Sequence, residues 1–288
     1  MNVLQFDNVS REYHRGGLFG GSRFMAVDGV SFTLDEKPQI FSIVGESGSG
    51  KTTLARMLLR LVEPTGGNIT LLGTSLKGRG KVTIDGKDFR RVVQPIFQNP
   101  FEAFSAYLPL DYYLRRTAIN LGVAHAPAEI NEVIDKALRS VGLSLERIAG
   151  KFVRQFSGGE LQRISVARAL IPNPRLIVAD EPVSMVDASL RMSIVNLFRQ
   201  IVDERGVSFI YITHDLSTAY YLSDQLAIMN TGKIVEQGPP STIMERPTQA
   251  YTRELMAAVP GITERWPELV AIDQRYPRDT PTDALAPR

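Results

Sequence analysis

The stretch GESGSGKTT, residues 45–53, constrains this chain more than any other. It has the form GxxxxGK(S/T), with Gly45, Gly50, Lys51 and Thr52 at the fixed places. An apolar run, residues 41–44, precedes it and reads as a buried strand; helix-forming residues 54–61 follow. Glycine lets the backbone curl until successive N–H groups, from about Gly48 to Thr52, converge on one concavity at a helix N-terminus, where phosphate oxygens bind. Lys51 adds a point charge for the β and γ phosphates, and the Thr52 hydroxyl is placed to ligate Mg²⁺. The bland alternative is a glycine-rich turn that binds nothing, and the strand before and helix after count against it. The motif predicts nucleoside triphosphate binding without separating a kinase, a GTPase, a helicase or a transporter motor.

Composition narrows the field by exclusion. With 288 residues, 43% hydrophobic and 22% charged, the chain needs no fibrous or disordered class. Lys plus Arg (33) nearly balances Asp plus Glu (31), so no field strong enough to gather nucleic acid is expected. The absence of cysteine excludes disulfides and thiolate metal sites, and suits a reducing compartment. The start, MNVLQFDNVS, lacks a basic region followed by an apolar core, and no apolar run approaches the ~18 residues of a membrane span. If the protein works at a membrane, a partner is expected to carry it there.

Residues 3–13 and 26–34 mix β-branched and polar residues and predict strands, separated by the glycine-rich insert RGGLFGGSR; Tyr13 closes the first, where its ring packs or stacks on a purine. NITLLG, residues 68–73, predicts another strand. A polar segment through Lys87 leads to VVQPIFQNP, a strand ending in Gln98. Between Phe101 and Gln155 the signals turn helical: residues 128–143 carry Ile130, Val133, Ile134, Leu138 and Val141 at a period near 3.6, with Gly142 as the stop. Strands resume at residues 175–180 and 208–213, and residues 225–238 read as a hairpin about Thr231-Gly232. Strands alternating with helices on one open sheet imply a P-loop α/β fold with ligands at the strands' carboxyl ends.

RLIVADE delivers two carboxylates at that edge. Asp180 suits holding Mg²⁺ directly or through water, and Glu181 suits polarising an attacking water, although acids past a strand are often only helix caps. In FSGGELQRISVARAL, residues 156–170, Ser157 precedes two glycines, Gly158 and Gly159, whose N–H groups open a helix: a second anion cradle with a hydroxyl beside it. Ser157 also reads as a plain N-cap, with Glu160 completing a capping box.

At this point the chain resembles the nucleotide-binding subunits of ABC transporters, over residues 1 to about 260. GESGSGKTT is similar to the family's Walker A motif, Gln98 to its Q-loop glutamine, FSGGE to its signature, usually LSGGQ. VADE resembles Walker B with Glu181 as catalytic glutamate, SMVD the D-loop ending in Asp187, and His214 the switch histidine. The resemblance implies ATP and Mg²⁺. ATP would lie on Gly45, Glu46, Ser47, Gly48, Ser49, Gly50, Lys51, Thr52 and Thr53, with Tyr13 stacked on adenine. Thr52, Gln98 and Asp180 would serve the metal, and Lys51, Gln98, Glu181 and His214 the hydrolysis. Ser157, Gly158, Gly159 and Glu160 of the signature would complete the site from a second subunit, and Asp187 of the D-loop would also serve the nucleotide. Phe156 stands in place of the usual leucine and Glu160 in place of the usual glutamine; because the donors are backbone N–H groups and the Ser157 hydroxyl, the expected effect is modest.

The implied architecture is a RecA-like P-loop core with an antiparallel β subdomain and an inserted α-helical subdomain at about residues 101–172. Residues 1–244 would form the nucleotide-binding domain and residues 245–288 a C-terminal extension, its tail from Asp273 disordered or lying on a neighbour. The glycine-rich insert, GKIVEQGPPSTIMERP and AYTRELMAAVP resemble the oligopeptide, dipeptide and nickel importer branch, some of whose machinery serves oligosaccharides. EAFSAYLP stands where the branch commonly has SLNPR, and the cysteine cluster many relatives carry is absent. The implied partners are a second ATPase subunit, paralogue or self, two membrane-spanning permease subunits and, indirectly, an extracytoplasmic solute-binding protein. No nucleic acid is expected, and the place would be the cytoplasmic face of the membrane, peripherally. Two other classes share this clamp. A soluble ABC-type ATPase of DNA repair or translation usually carries two units in one chain, or coiled-coil or zinc insertions. A non-catalytic regulatory module is opposed by intact Lys51, Asp180, Glu181 and His214.

Overall fold

A computed structural model of the chain describes residues 2–15, 22–76, 84–101 and 103–258. Most of the glycine-rich insert, the segment before Lys87 in part, and the tail from Asp273 lie outside the described residues. The chain opens with long paired strands, β1 (Asn2–Arg15) and β2 (Ser22–Asp35), then β3 (Ile40–Val44), which runs into the phosphate loop and α1 (Lys51–Leu58). β4 (Gly66–Leu71) and β5 (Thr74–Ser75) follow, then α2 (Gly86–Val92) and β6 (Val93–Ile96). Helices α3 (Leu110–Asn120), α4 (Pro127–Arg139), α5 (Leu145–Ile148) and α6 (Gly158–Leu170) are inserted before β7 (Leu176–Asp180). After α7 (Ala188–Arg205) and β8 (Ser208–Thr213) come α8 (Leu216–Leu222), the hairpin β9 (Gln225–Asn230) and β10 (Lys233–Gly238), and helices α9 (Pro240–Glu245) and α10 (Ala250–Ala257).

These strands make two sheets among the described residues, in the orders β2-β1-β4-β5 and β10-β9-β3-β8-β7-β6. The first is antiparallel; in the second, β3, β6, β7, β8 and β9 run parallel and β10 turns back on β9. The first is the antiparallel β subdomain that the resemblance implies, formed because β1 and β2 pair with each other and with β4, and the second is the open sheet expected from the alternating strands. Phe6 stacks on Phe32 within the first sheet at 4.5 Å, and Phe32 stacks on Phe41 of β3 at 4.8 Å, a contact worth roughly 0.5–1.5 kcal/mol beyond burial that joins the two sheets.

Strands buried on both faces read as near-continuous apolar runs, as β3 and β8 do. Alternation along them sorts the core into two sides. Ile177, Ala179, Phe209 and Tyr211 pack with α4, α6 and α7, whereas Val178, Ile210 and Ile212 pack with α1 and the antiparallel sheet. The phosphate-loop helix and the helix after FSGG thus lie on opposite faces of the parallel sheet. α9, which spans the expected boundary at residue 244, and α10 pack with Val44 and Ile228 in a third cluster. Element ends differ slightly from expectation: β1 runs past Tyr13 to Arg15, β6 stops two residues short of Gln98, and α1 ends at Leu58, where the Leu59 cap gives way to a left-handed Arg60 (φ 58°).

Candidate nucleotide site

The loop between β3 and α1 curls around its own lysine. Gly48 (φ 86°) and Gly50 (φ 107°) take conformations that a β-carbon disfavours. Gly50 also has no room for one: a Cβ there would stand 2.2 Å from the Ala26 carbonyl oxygen, and one at Gly45 would stand 2.1 Å from that of Met229. Lys51 is 5% exposed and donates to the carbonyls of Gly45 (2.6 Å) and Glu46 (2.8 Å) and to Ser49 Oγ (3.3 Å). The turn of the β9–β10 hairpin braces the loop, since Gly232 N donates to Ser49 O at 2.9 Å and Asp28 N to Gly232 O at 2.8 Å. Glu46, Ser47 and Thr52 face solvent, and Thr53 is half-buried. Burial lowers the Lys51 ammonium below its usual range against the pull of Glu181, Asp180 and Glu46.

β7 brings its two acids to this loop. The Asp180 side chain bonds Thr52, which brings the phosphate-loop hydroxyl and the first acid together; desolvation, the largest influence, pushes the Asp180 carboxyl above its ordinary value. Glu181 sits in the left-handed region (φ 47°), an uncommon place for a non-glycine residue, with its N–H bonded to Ile212 O at 2.8 Å. That turn takes its carboxylate off the strand direction. Gln98 Nε2 donates to Glu181 Oε2 at 3.1 Å and His214 Nδ1 lies 3.2 Å from Glu181 Oε1, so residues from the ends of β6, β7 and β8 converge on one carboxylate.

A divalent cation fits this donor set. Asp180 Oδ1 is buried beside the Thr52 hydroxyl and finds no hydrogen-bond partner among the described residues, and burial raises the carboxyl despite the charges of Lys51 and Arg56. No cluster of three or more acidic or histidine side chains suited to a metal occurs among the described residues. Mg²⁺ takes one or two protein ligands, which the Thr52 hydroxyl and the Asp180 carboxylate would supply, and completes its shell with water and substrate phosphates.

Tyr13 is half-buried, with the Arg11 guanidinium 4.6 Å from its ring centre, and pairs with Phe24, two residues along β2 from Ala26. The other expected residues stand apart. Ser157 caps α6 and exchanges capping-box bonds with Glu160, as the sequence suggests: Glu160 N donates to Ser157 Oγ (3.3 Å) and Ser157 N to Glu160 Oε2 (3.0 Å). Gly158 and Gly159 open the helix, a Cβ on Gly159 being 3.0 Å from Leu190 Cδ1. Asp187 is exposed and precedes α7 without a side-chain cap bond. No hydrogen bond or ion pair among those described links these residues to the phosphate loop.

Sequence reasoning missed Tyr251. Its phenolic oxygen accepts the Glu46 N–H at 3.1 Å, and the carbonyl of that same peptide unit, on Gly45, accepts from Lys51. α10 therefore fixes the plane that aims the lysine. No local signal in AYTREL points there, because the contact spans 205 residues of sequence.

The ABC transporter family model matches residues 27–184. The chain is 36% identical over 269 residues to the oligopeptide transport ATP-binding protein OppF of Streptococcus pyogenes serotype M1, covering 91% of this chain and 87% of that one. It is 35% identical over 262 residues to the di/tripeptide transport ATP-binding protein DppF of Pseudomonas aeruginosa, covering 90% and 80%. Its fold is shared with CbiO1 of Clostridium perfringens (TM-score 0.74, 20% identity, 95% of this chain and 99% of that one). It is shared as well with the ATP-binding cassette MJ0796 in a dimeric post-hydrolysis state bound to ADP and Pi (TM-score 0.70, 24% identity, 82% and 98%).

Proposed function

The chain belongs to the ABC transporter family of ATP-binding proteins, and on that premise we propose that it hydrolyses ATP to energise an importer of oligopeptides or related solutes, each ATP being held between two subunits. The observation that carries hydrolysis is Glu181, a carboxylate bracketed by Gln98 and His214 at the edge of the lysine cradle. A passive nucleotide-binding module has no use for an acid so placed.

In this reading the N–H groups of the loop and Lys51 hold the β and γ phosphates, and Tyr13 carries the adenine. Glu181 orients the attacking water and draws on its proton, while Gln98 and His214 keep the carboxylate aimed. Thr52, Asp180 and Gln98 would hold Mg²⁺, which when bound screens the charge on the phosphate oxygens. The γ-phosphate of one subunit's ATP meets Ser157 and the Gly158 and Gly159 N–H groups of the other, with Asp187 at the same boundary. The opposite-face placement of α1 and α6 supports a two-subunit site, as does the dimeric state of the cassette that shares the fold.

The names of the relatives support peptides as the cargo class. No helix among the described residues is long and apolar enough to cross a membrane, so the pathway itself falls to two permease subunits. The chain would dock on their cytoplasmic side with a second ATP-binding subunit, a copy or a paralogue, while an external binding protein delivers solute. Glu181→Gln should keep ATP binding and lower turnover by at least ~10²-fold, the scale of one lost transition-state contact; unchanged steady-state ATPase removes Glu181 from its role. Turnover of the assembled complex should rise with peptide. A rise with oligosaccharides alone moves the cargo assignment.

A further inference from the structure

Glu160 places a negative charge where the proposed clamp must receive another. Its Oε2 takes the Ser157 N–H at 3.0 Å and lies 3.2 Å from the Ser157 hydroxyl, within reach of that proton as well. The N–H bond first, and Arg147 after it, hold the Glu160 carboxyl below its ordinary range, so the group is an anion near neutrality. A bare carboxylate there would repel a triphosphate and compete for the hydroxyl that should donate to it.

It is not bare. Oε1 is bonded to the Arg147 guanidinium, which comes from α5, an element separate from the signature helix. The carboxylate is thus divided, one oxygen on the helix cap and the other on a cation. We propose that Arg147 is a positioning residue of the signature: it anchors and neutralises Glu160, so that Ser157, Gly158 and Gly159 present a net attractive surface to the γ-phosphate held by the neighbouring subunit. This rests on the two-subunit reading above. With the Arg147 side chain 58% exposed in the free chain, the pair contributes little to stability. Its effect grows when a subunit boundary closes and water leaves, because the local dielectric falls. Loss of Arg147 should therefore be felt in nucleotide engagement far more than in folding.

The test is a double-mutant cycle in the complex assembled with its permease and second ATP-binding subunit, reading ATP KM and kcat. Arg147→Ala should raise KM about tenfold, the scale of an unmasked charge at a closing interface, with the thermal midpoint of the free chain nearly unchanged. In a Glu160→Gln background the same change should cost less than about twofold, because no carboxylate is left to mask. Arg147→Lys, which keeps the charge without the fork, should fall between. Equal losses in both backgrounds would make Arg147 a structural residue, and no loss in either would remove it from the site; both overturn the proposal. Ser157→Arg in the same complex separates the premises. If it leaves turnover intact, the two-subunit reading fails; if it stops turnover while Arg147→Ala is silent, only the present inference does.

Discussion

At the N-terminus of α1 the chain closes around its own lysine, and at the N-terminus of α6 it closes around its own carboxylate. The first turn is drawn so tight that Gly45 and Gly50 have backbone within 2.2 Å of where a Cβ would sit, and its lysine is buried with three acceptors from its own loop. The second is an ordinary capped helix start. Its glycines lie in the helical region, a Cβ on Gly158 would meet nothing nearer than 3.4 Å, and its free N–H groups stand beside Glu160. Both have the positive pole of a helix to offer phosphate. Only the first has a lysine inside its own turn and a preformed concavity; the cation at the second, Arg147 from α5, is paired with Glu160. The difference fits the proposed division of labour, in which one chain's cradle holds the nucleotide and another subunit's lid meets it.

The sharpest way to break the comparison is to add one methyl to each turn. Gly50→Ala should cost about 2–4 kcal/mol, from strain at positive φ plus the clash with Ala26, and should abolish nucleotide binding by the purified chain. Gly158→Ala should cost within about 1 kcal/mol, leave that binding intact and reduce only the turnover of the assembled complex. Equal losses of binding would mean that the two turns do the same job. Ser157→Arg comes next: nucleotide affinity of the isolated chain should stay within about twofold, while ATP-driven turnover in the complex falls by ~10²-fold or more.

A smaller effect probes the brace behind the cradle. Tyr251→Phe deletes the acceptor for the Glu46 N–H and should raise ATP KM about two- to fivefold with kcat little changed, the loss of one modest hydrogen bond. An altered kcat at constant KM would place α10 in the chemistry instead of the binding. The smallest effect is a pH dependence. Burial holds the Asp180 carboxyl above its ordinary 3.8, so the folded chain binds that proton more tightly than the unfolded one. Its contribution to stability is then fully present below the ordinary value and is lost as pH rises through the elevated native one. Thermal midpoints of the ligand-free wild type should drop relative to Asp180→Asn as pH is raised from acid to neutral. A constant difference would show that Asp180 is already compensated.

Much of the cradle was legible because the chemistry that makes it is local. A fixed spacing of glycines, a lysine and a hydroxyl encodes both the turn and the ligand. The strands were legible for the same reason, as β8 is buried at every position and the β9–β10 turn falls at Thr231-Gly232, both at positive φ. What could not be seen was pairing at long range. Nothing in residues 3–13 says that β1 chooses β2 and β4 over the parallel sheet, since either partner satisfies the same alternation. Gln98, Glu181 and His214 could be named from the resemblance, yet their meeting at 3.1 and 3.2 Å depends on three strand ends laid side by side. Glu160 was expected to matter little because the Ser157 hydroxyl would be the donor. The structure has that hydroxyl and its own N–H against the Glu160 carboxylate, with Arg147 behind it, a contact that spacing within the motif does not reveal.

The central claim is that cradle and lid act on one nucleotide only when they come from different subunits. The most direct measurement is a structure of the assembled complex carrying Glu181→Gln with ATP bound. The account predicts that the γ-phosphate held by one subunit's Lys51 accepts a hydrogen bond from Ser157 of the adjoining ATP-binding subunit, or from the equivalent residue of a paralogue. Lys51 and Ser157 of a single chain closing on the same triphosphate would contradict it.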